Sequence, residues 1–187
     1  MYSYVNMEIP LSIIVFLVVA YFFGASLVKL SGRVFKWIAL VLVLVTSVDV
    51  FLRYFFNSGS VALQEAEWHL YSALFLLTAG FVYLEDKHVR VDVFYSKFSP
   101  KKKRLIEVLG ILFFLLPFCF LLIWSSVPFV SRAFQMSEIS ADPGGLKFRF
   151  LVKSLIPFGA FLLAMSGVVK LRELLVLKES REGSGIK

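Results

Sequence analysis

Long apolar runs recur along this sequence with charged residues gathered between them, and that alternation leaves few folds open. A membrane-spanning helix needs roughly 20 mostly apolar residues at about 1.5 Å rise each. Runs of that length lie at about 10–30, 35–56, 61–84, 103–132 and 148–175. The chain is 59% hydrophobic and contains 21 phenylalanines in 187 residues. That is more apolar side chain than a soluble domain of this length can bury, so lipid must cover the remainder. The pattern predicts an all-α integral membrane protein, a bundle of four core transmembrane helices plus an extra N-terminal hydrophobic helix. Its expected divisions are 1–34 (extra helix and basic turn), 35–175 (the four-helix transmembrane domain) and 176–187 (cytoplasmic tail).

The formal charge of +7 belongs to the loops. Cytoplasmic loops attract Lys and Arg, so their distribution assigns sides. Lys29, Arg33 and Lys36 follow the first run, and Lys87, Arg90, Lys97, Lys101, Lys102, Lys103 and Arg104 separate the third from the fourth. Lys170 and four further basic residues end the chain. The turn from Asn57 to Ala62 has no Lys or Arg, and the loop from Arg132 to Arg149 offsets its basic residues with Glu138 and Asp142. Five spans with the N-terminus outside and the C-terminus inside satisfy this bias. So does a four-span form whose first run lies in the membrane interface. The first run is not expected to be a secretory signal, because only Glu8 precedes it and its basic residues come after. A membrane topology accounts for the basic charge without nucleic acid as a partner. Cys119 is the single cysteine, which excludes a disulfide within the chain, a CxxC motif and a cysteine-based zinc site.

Asp49 and Arg53 are four residues apart and share one face of the second helix, where they can neutralise each other. The intrahelical pair is the expected reading, with a proton or ion relay as the sharper alternative. Glu65, Glu67 and His69 crowd the head of the third run beside Trp68. Zinc usually takes three or four ligands with His or Cys prominent, and no second His is near, so a helix-end contact cluster is favoured over a metal site. His69 and His88 stand at opposite ends of one helix, roughly 28 Å apart, too far to ligate one haem from both faces. Pro117 and Pro128 are expected to kink the fourth helix. The sequence has no nucleophile and base in a supporting context and no phosphate-cradling loop. No enzyme activity and no cofactor are expected.

Three stretches in order resemble the small membrane (Q, or DctQ-type) subunit of tripartite ATP-independent periplasmic (TRAP) transporters. They are Phe51-Leu-Arg-Tyr-Phe-Phe-Asn57; Gln64-Glu-Ala-Glu-Trp-His-Leu-Tyr71 followed by Lys87-His-Val-Arg-Val-Asp-Val-Phe94; and Glu138-Ile-Ser-Ala-Asp-Pro-Gly-Gly-Leu146 leading to Lys153-Ser-Leu-Ile-Pro157. The resemblance covers about 35–175; the extra run before Phe35 departs from it. It implies a non-catalytic small permease subunit of a sodium-dependent transporter for organic acids in the bacterial inner membrane. Its partners would be a large elevator-type membrane (M) subunit, which it scaffolds, and a periplasmic substrate-binding protein (P subunit), which it helps to dock, with lipid around them.

On that reading Arg53, Asn57, Glu65, Trp68, Glu138 and Asp142 fall on the outer side, where the large subunit or binding protein could touch. His88, Arg90 and Asp92 fall inside; their alternate spacing would aim all three at one surface from an extended segment. The alternative function is a membrane anchor or haem subunit of a respiratory enzyme. An independent channel is disfavoured because no polar face continues across any helix.

Overall fold

A computed structural model describes residues 11–86 and 98–183, with the side chains of 11–14, 17 and 177–183 not described. Every regular element in these residues is helical: α1 (Leu11–Phe35), α2 (Trp37–Phe56), α3 (Val61–Leu84), α4 (Pro100–Gly110), a π-helical turn (Ile111–Leu115), α5 (Leu116–Gln135) and α6 (Phe150–Gly183). Three helical stretches are long and apolar enough to cross a membrane, Val18–Phe56, Pro100–Gln135 and Phe150–Val176. α3 is not among them, because Gln64, Glu65, Glu67 and His69 make its first turns polar.

α4, the π turn and α5 form one rod. Pro117 has no N–H to give Phe113, the acceptor four residues back, and the N–H of Leu116 instead reaches the carbonyl of Ile111, five residues back. The backbone thus meets Pro117 with a π turn, whereas Pro128 lies inside the continuous α5 helix.

α2 packs on α3, α3 on α6, and α6 on the α4–α5 rod, so the four lie in a row. α6 is the centre of that row: 50% of its spanning window is buried, against 6% and 11% for the other two stretches. Two glycines make the α3–α6 contact close. A Cβ on Gly80 would lie 2.7 Å from the carbonyl oxygen of Leu162, and one on Gly159 would lie 2.7 Å from that of Leu76. Both obstacles are backbone, which cannot rotate aside. Gly80→Ala is therefore expected to destabilise the chain by about 1–3 kcal/mol through overpacking. The check is the unfolding midpoint in mixed detergent micelles, with Gly110→Ala, where nothing stands within 4 Å, as the neutral comparison.

α1 packs over both α6 and α3. Phe16 meets Phe161 edge-on at 5.3 Å, Ala20 and Val28 join Met165, Val169 and Leu84 in a buried cluster, and Gly32 lies against the ring of Phe81. Residues 16–32 represent about 24 Å of helix, yet their α6 partners run only from Phe161 to Arg172, about 17 Å, and Phe16 and Gly32, near its two ends, meet Phe161 and Phe81. Since Gly80 abuts Leu162, Phe81 and Leu84 lie within that same slab. α1 therefore runs across α6 and α3, against their final turns before the charges of Lys170 and Glu85. The basic turn expected after the first run is helical through Phe35, with Lys36 alone as a turn residue in right-handed helical conformation. The expected tail is also partly helical, since α6 continues to Gly183.

Candidate functional site

The α2–α3 turn and the α5–α6 loop share one end of the row. α2 ends at Asn57, whose left-handed conformation (φ 49°) lets its N–H and that of Ser58 return to the carbonyl of Leu52. Asn is among the few non-glycine residues that accept this geometry readily. α5 ends similarly: Ser137 (φ 45°) donates to Phe134 and Glu138 to Ala133, the paired bonds of a Schellman cap.

From that cap the chain folds into a closed loop. The N–H of Arg149 donates to the carbonyl of Glu138 at 3.1 Å, and that of Ser140 donates to Leu146 at 3.1 Å. Within this frame the N–H of Asp142 bonds the Ser140 hydroxyl at 3.2 Å, and the N–H of Gly145 bonds the carbonyl of Asp142 at 3.0 Å. Gly144 at φ 83° takes the turn that the Pro143-Gly144-Gly145 sequence predicts.

One side chain from another helix holds the loop. Glu65 of α3 is only 5% exposed; its Oε1 accepts from the Ser140 hydroxyl and its Oε2 from the N–H of Leu146 at 2.5 Å. A carboxylate accepting two such bonds is satisfied without water, and it ties both strands of the loop tip to α3. Gly145 gives it room, since a Cβ there would lie 2.8 Å from Oε2. The loop base is fixed by Lys153 of α6, which pairs with Glu138 at 2.5 Å and lies 4.0 Å over the Phe129 ring. Arg149 stands 5.6 Å over the Trp68 ring, joining the loop to α3 a second time.

Asp49 lies in the stripe Ile38, Leu42, Val45, Asp49 and Leu52 by which α2 faces its neighbour. Its side chain is 1% exposed and pairs through Oδ2 with Arg53, whose side chain is 49% exposed. Asp49 Oδ1 and Glu67 Oε1 are both buried without a hydrogen-bond partner.

Of the sequence-derived candidates, Glu65, Trp68 and Glu138 converge on the loop. Arg53, Asn57 and Asp142 are exposed at the same end, with Asn57 also serving as a helix cap. Glu65 is not an exposed contact residue: its carboxylate is turned inward and shapes the loop that others present. His88, Arg90 and Asp92 lie outside the described residues. Ser140, Arg149 and Lys153 were not singled out as site residues. Lys153 had a signal, because a lysine inside an apolar run requires a partner. His69 lines a groove of about 330 Å³ with Leu70, Ala73, Leu146 and Leu151. Among the described residues no group of three or more His, Cys, Asp or Glu could hold a metal ion.

Among curated proteins, none matches the chain. A family model does, over residues 42–177, from within α2 to the later part of α6 and thus well over half of the sequence. The matched span contains Asp49, Arg53, Glu65, the closed loop and Lys153. That family is described as tripartite ATP-independent periplasmic transporters, DctQ component, and the chain belongs to it.

Proposed function

We propose that this chain is the small permease subunit of a secondary, sodium-dependent transporter for organic acids in the bacterial inner membrane. In this reading it scaffolds a large elevator-type membrane subunit and helps a periplasmic binding protein dock. The closed loop at the α2–α3 end carries the proposal. A docking surface works best when its shape exists before the partner arrives, because ordering it on contact would weaken binding. The loop is tied to α3 by Glu65 and to α6 by the Glu138–Lys153 pair, with Asp142 exposed at its tip and Arg53, Asn57 and Trp68 exposed on the neighbouring helices. The concentration of Lys and Arg in the segments at the other end supports a periplasmic loop and a cytoplasmic C-terminus.

The test is whole-cell uptake of a panel of radiolabelled organic acids, with and without sodium, in cells lacking only this subunit. Loss of a sodium-dependent uptake that returns on re-expression supports the proposal; uptake that persists unchanged overturns it. His88, Arg90 and Asp92 are assigned to a cytoplasmic contact with the large subunit. Arg90→Ala combined with Asp92→Ala is expected to lower co-purification of that subunit severalfold, with uptake falling in step. If both stay at the unsubstituted level, the assignment is lost.

A further inference from the structure

α1 lies outside the stretch that matches the family, and its C-terminal half divides into sectors, continued on the basic side of the N-terminal half by the exposed Val15, Val18 and Phe22. Ala20, Gly24, Val28, Ser31 and Gly32 are buried against α6 and α3. At 100° per residue, the second half of the helix sets Ser26, Lys29, Arg33 and Lys36 together on another face, all exposed. Leu27, Leu30 and Val34 fill a third face, between 43% and 53% exposed. Lys29, Arg33 and Lys36 form a single stripe at spacings of four and three residues, and no carboxylate pairs with them among the described residues. The Arg33 Nε bonds back to the carbonyl of Lys29 at 3.4 Å, and Lys36 lies 5.6 Å over the Trp37 ring.

A helix crossing lengthwise would bring only its last turns, with Lys29, Arg33 and Lys36, to the boundary and leave the rest of α1 at all depths of the bilayer. A helix running across the final turns of α3 and α6 keeps the stripe at the depth of the phospholipid phosphates. The position is clamped: Arg172 Nη1 donates to the carbonyl oxygen of Tyr21 at 2.6 Å and its guanidinium lies 4.3 Å from the Tyr21 ring centre.

We propose that α1 is an in-plane helix at the bilayer boundary and that its Lys29-Arg33-Lys36 face binds the phosphates of anionic phospholipids. The apolar face of Leu27, Leu30 and Val34 turns toward the acyl chains, and the long basic side chains reach out to the headgroups. Three cations near an anionic surface select anionic over zwitterionic lipid, each contributing roughly a fivefold preference. α2 alone, with its 20 residues, is then long enough to cross.

Two measurements on the full chain test the two parts. In a Cys119→Ala background, single cysteines at Val18 and Leu30, both half-exposed, carry a fluorophore in vesicles of phosphatidylglycerol and phosphatidylcholine, and its depth is read by lipid-borne quenchers. The positions are about 18 Å apart along the helix. A depth difference below half of that value supports the in-plane helix, and a larger one overturns it.

For the second part, lipid co-extracted with the chain in polymer-bounded discs is assayed for its ratio of phosphatidylglycerol to phosphatidylcholine. Wild type is expected to enrich phosphatidylglycerol. Lys29→Gln, Arg33→Gln and Lys36→Gln together should lower that enrichment at least about fivefold. The charge-keeping Lys29→Arg, Arg33→Lys, Lys36→Arg variant should retain it. Equal enrichment in the neutral variant overturns the lipid site and leaves the stripe to a protein partner.

Discussion

Replacing Arg53 with leucine is expected to lower the stability of the chain by about 3 kcal/mol, whereas replacing Asp49 and Arg53 together with leucine should restore most of the loss. Asp49 is 1% exposed on the face of α2 that packs on α3, and its Oδ1 has no partner. Among the described residues Arg53 is its ion-pair partner. Taking away one member of a buried pair strands the other charge, which typically costs about 3–5 kcal/mol. The lower end applies because the Arg53 side chain is half-exposed. An apolar pair of similar volume removes the desolvation burden from both positions, so the double variant should approach wild type. Unfolding of the purified chain by increasing mole fraction of dodecyl sulfate, followed by far-UV circular dichroism, gives the required double-mutant cycle. A relay role would instead leave Arg53→Leu as stable as wild type and make the stable Asp49→Leu, Arg53→Leu variant inactive in uptake.

The Asp49–Arg53 pair was legible in the sequence because both residues lie on one helix turn, where spacing alone dictates proximity. The five runs were legible for the same reason, and the third matches α3 residue for residue from Val61 to Leu84. What local pattern cannot express is the direction of a helix relative to its neighbours. α1 has the length and apolarity of a span, yet Ala20, Gly24, Val28 and Gly32 form a small-residue face that lets it lie across α6 and α3. The π turn escaped notice because Pro117 announces a lost hydrogen bond without saying how the backbone repairs it. The loop was half legible. Its glycines and proline predict a turn, but the carboxylate that organises it is 75 residues from Ser140 and 81 from Leu146. Glu65 reads from its neighbours as one more polar residue at a helix head.

Glu65→Ala is therefore expected to release the 138–146 loop while leaving the helices in place. The substitution removes the acceptor for the Ser140 hydroxyl and for the Leu146 N–H at once, and among the described residues the remaining tie to α3, Arg149 over the Trp68 ring, lies at the loop base. The Glu138–Lys153 pair keeps the base attached, so only the tip gains freedom. Lys147 is exposed immediately after Leu146 and offers a cleavage site whose rate reports how often the segment opens. Limited trypsin digestion should cut there at least about tenfold faster in Glu65→Ala, with unchanged far-UV circular dichroism. Glu65→Gln retains one carbonyl oxygen for one of the two donors and should fall between. If the preformed loop is what receives the binding protein, uptake at limiting binding-protein concentration should decline in the order wild type, Glu65→Gln, Glu65→Ala, and excess binding protein should recover much of it. An unchanged cleavage rate would show that Glu65 does not hold the loop. Faster cleavage with unchanged uptake would place docking on the α2–α3 turn, where Arg53, Asn57 and Trp68 remain exposed whatever the loop does.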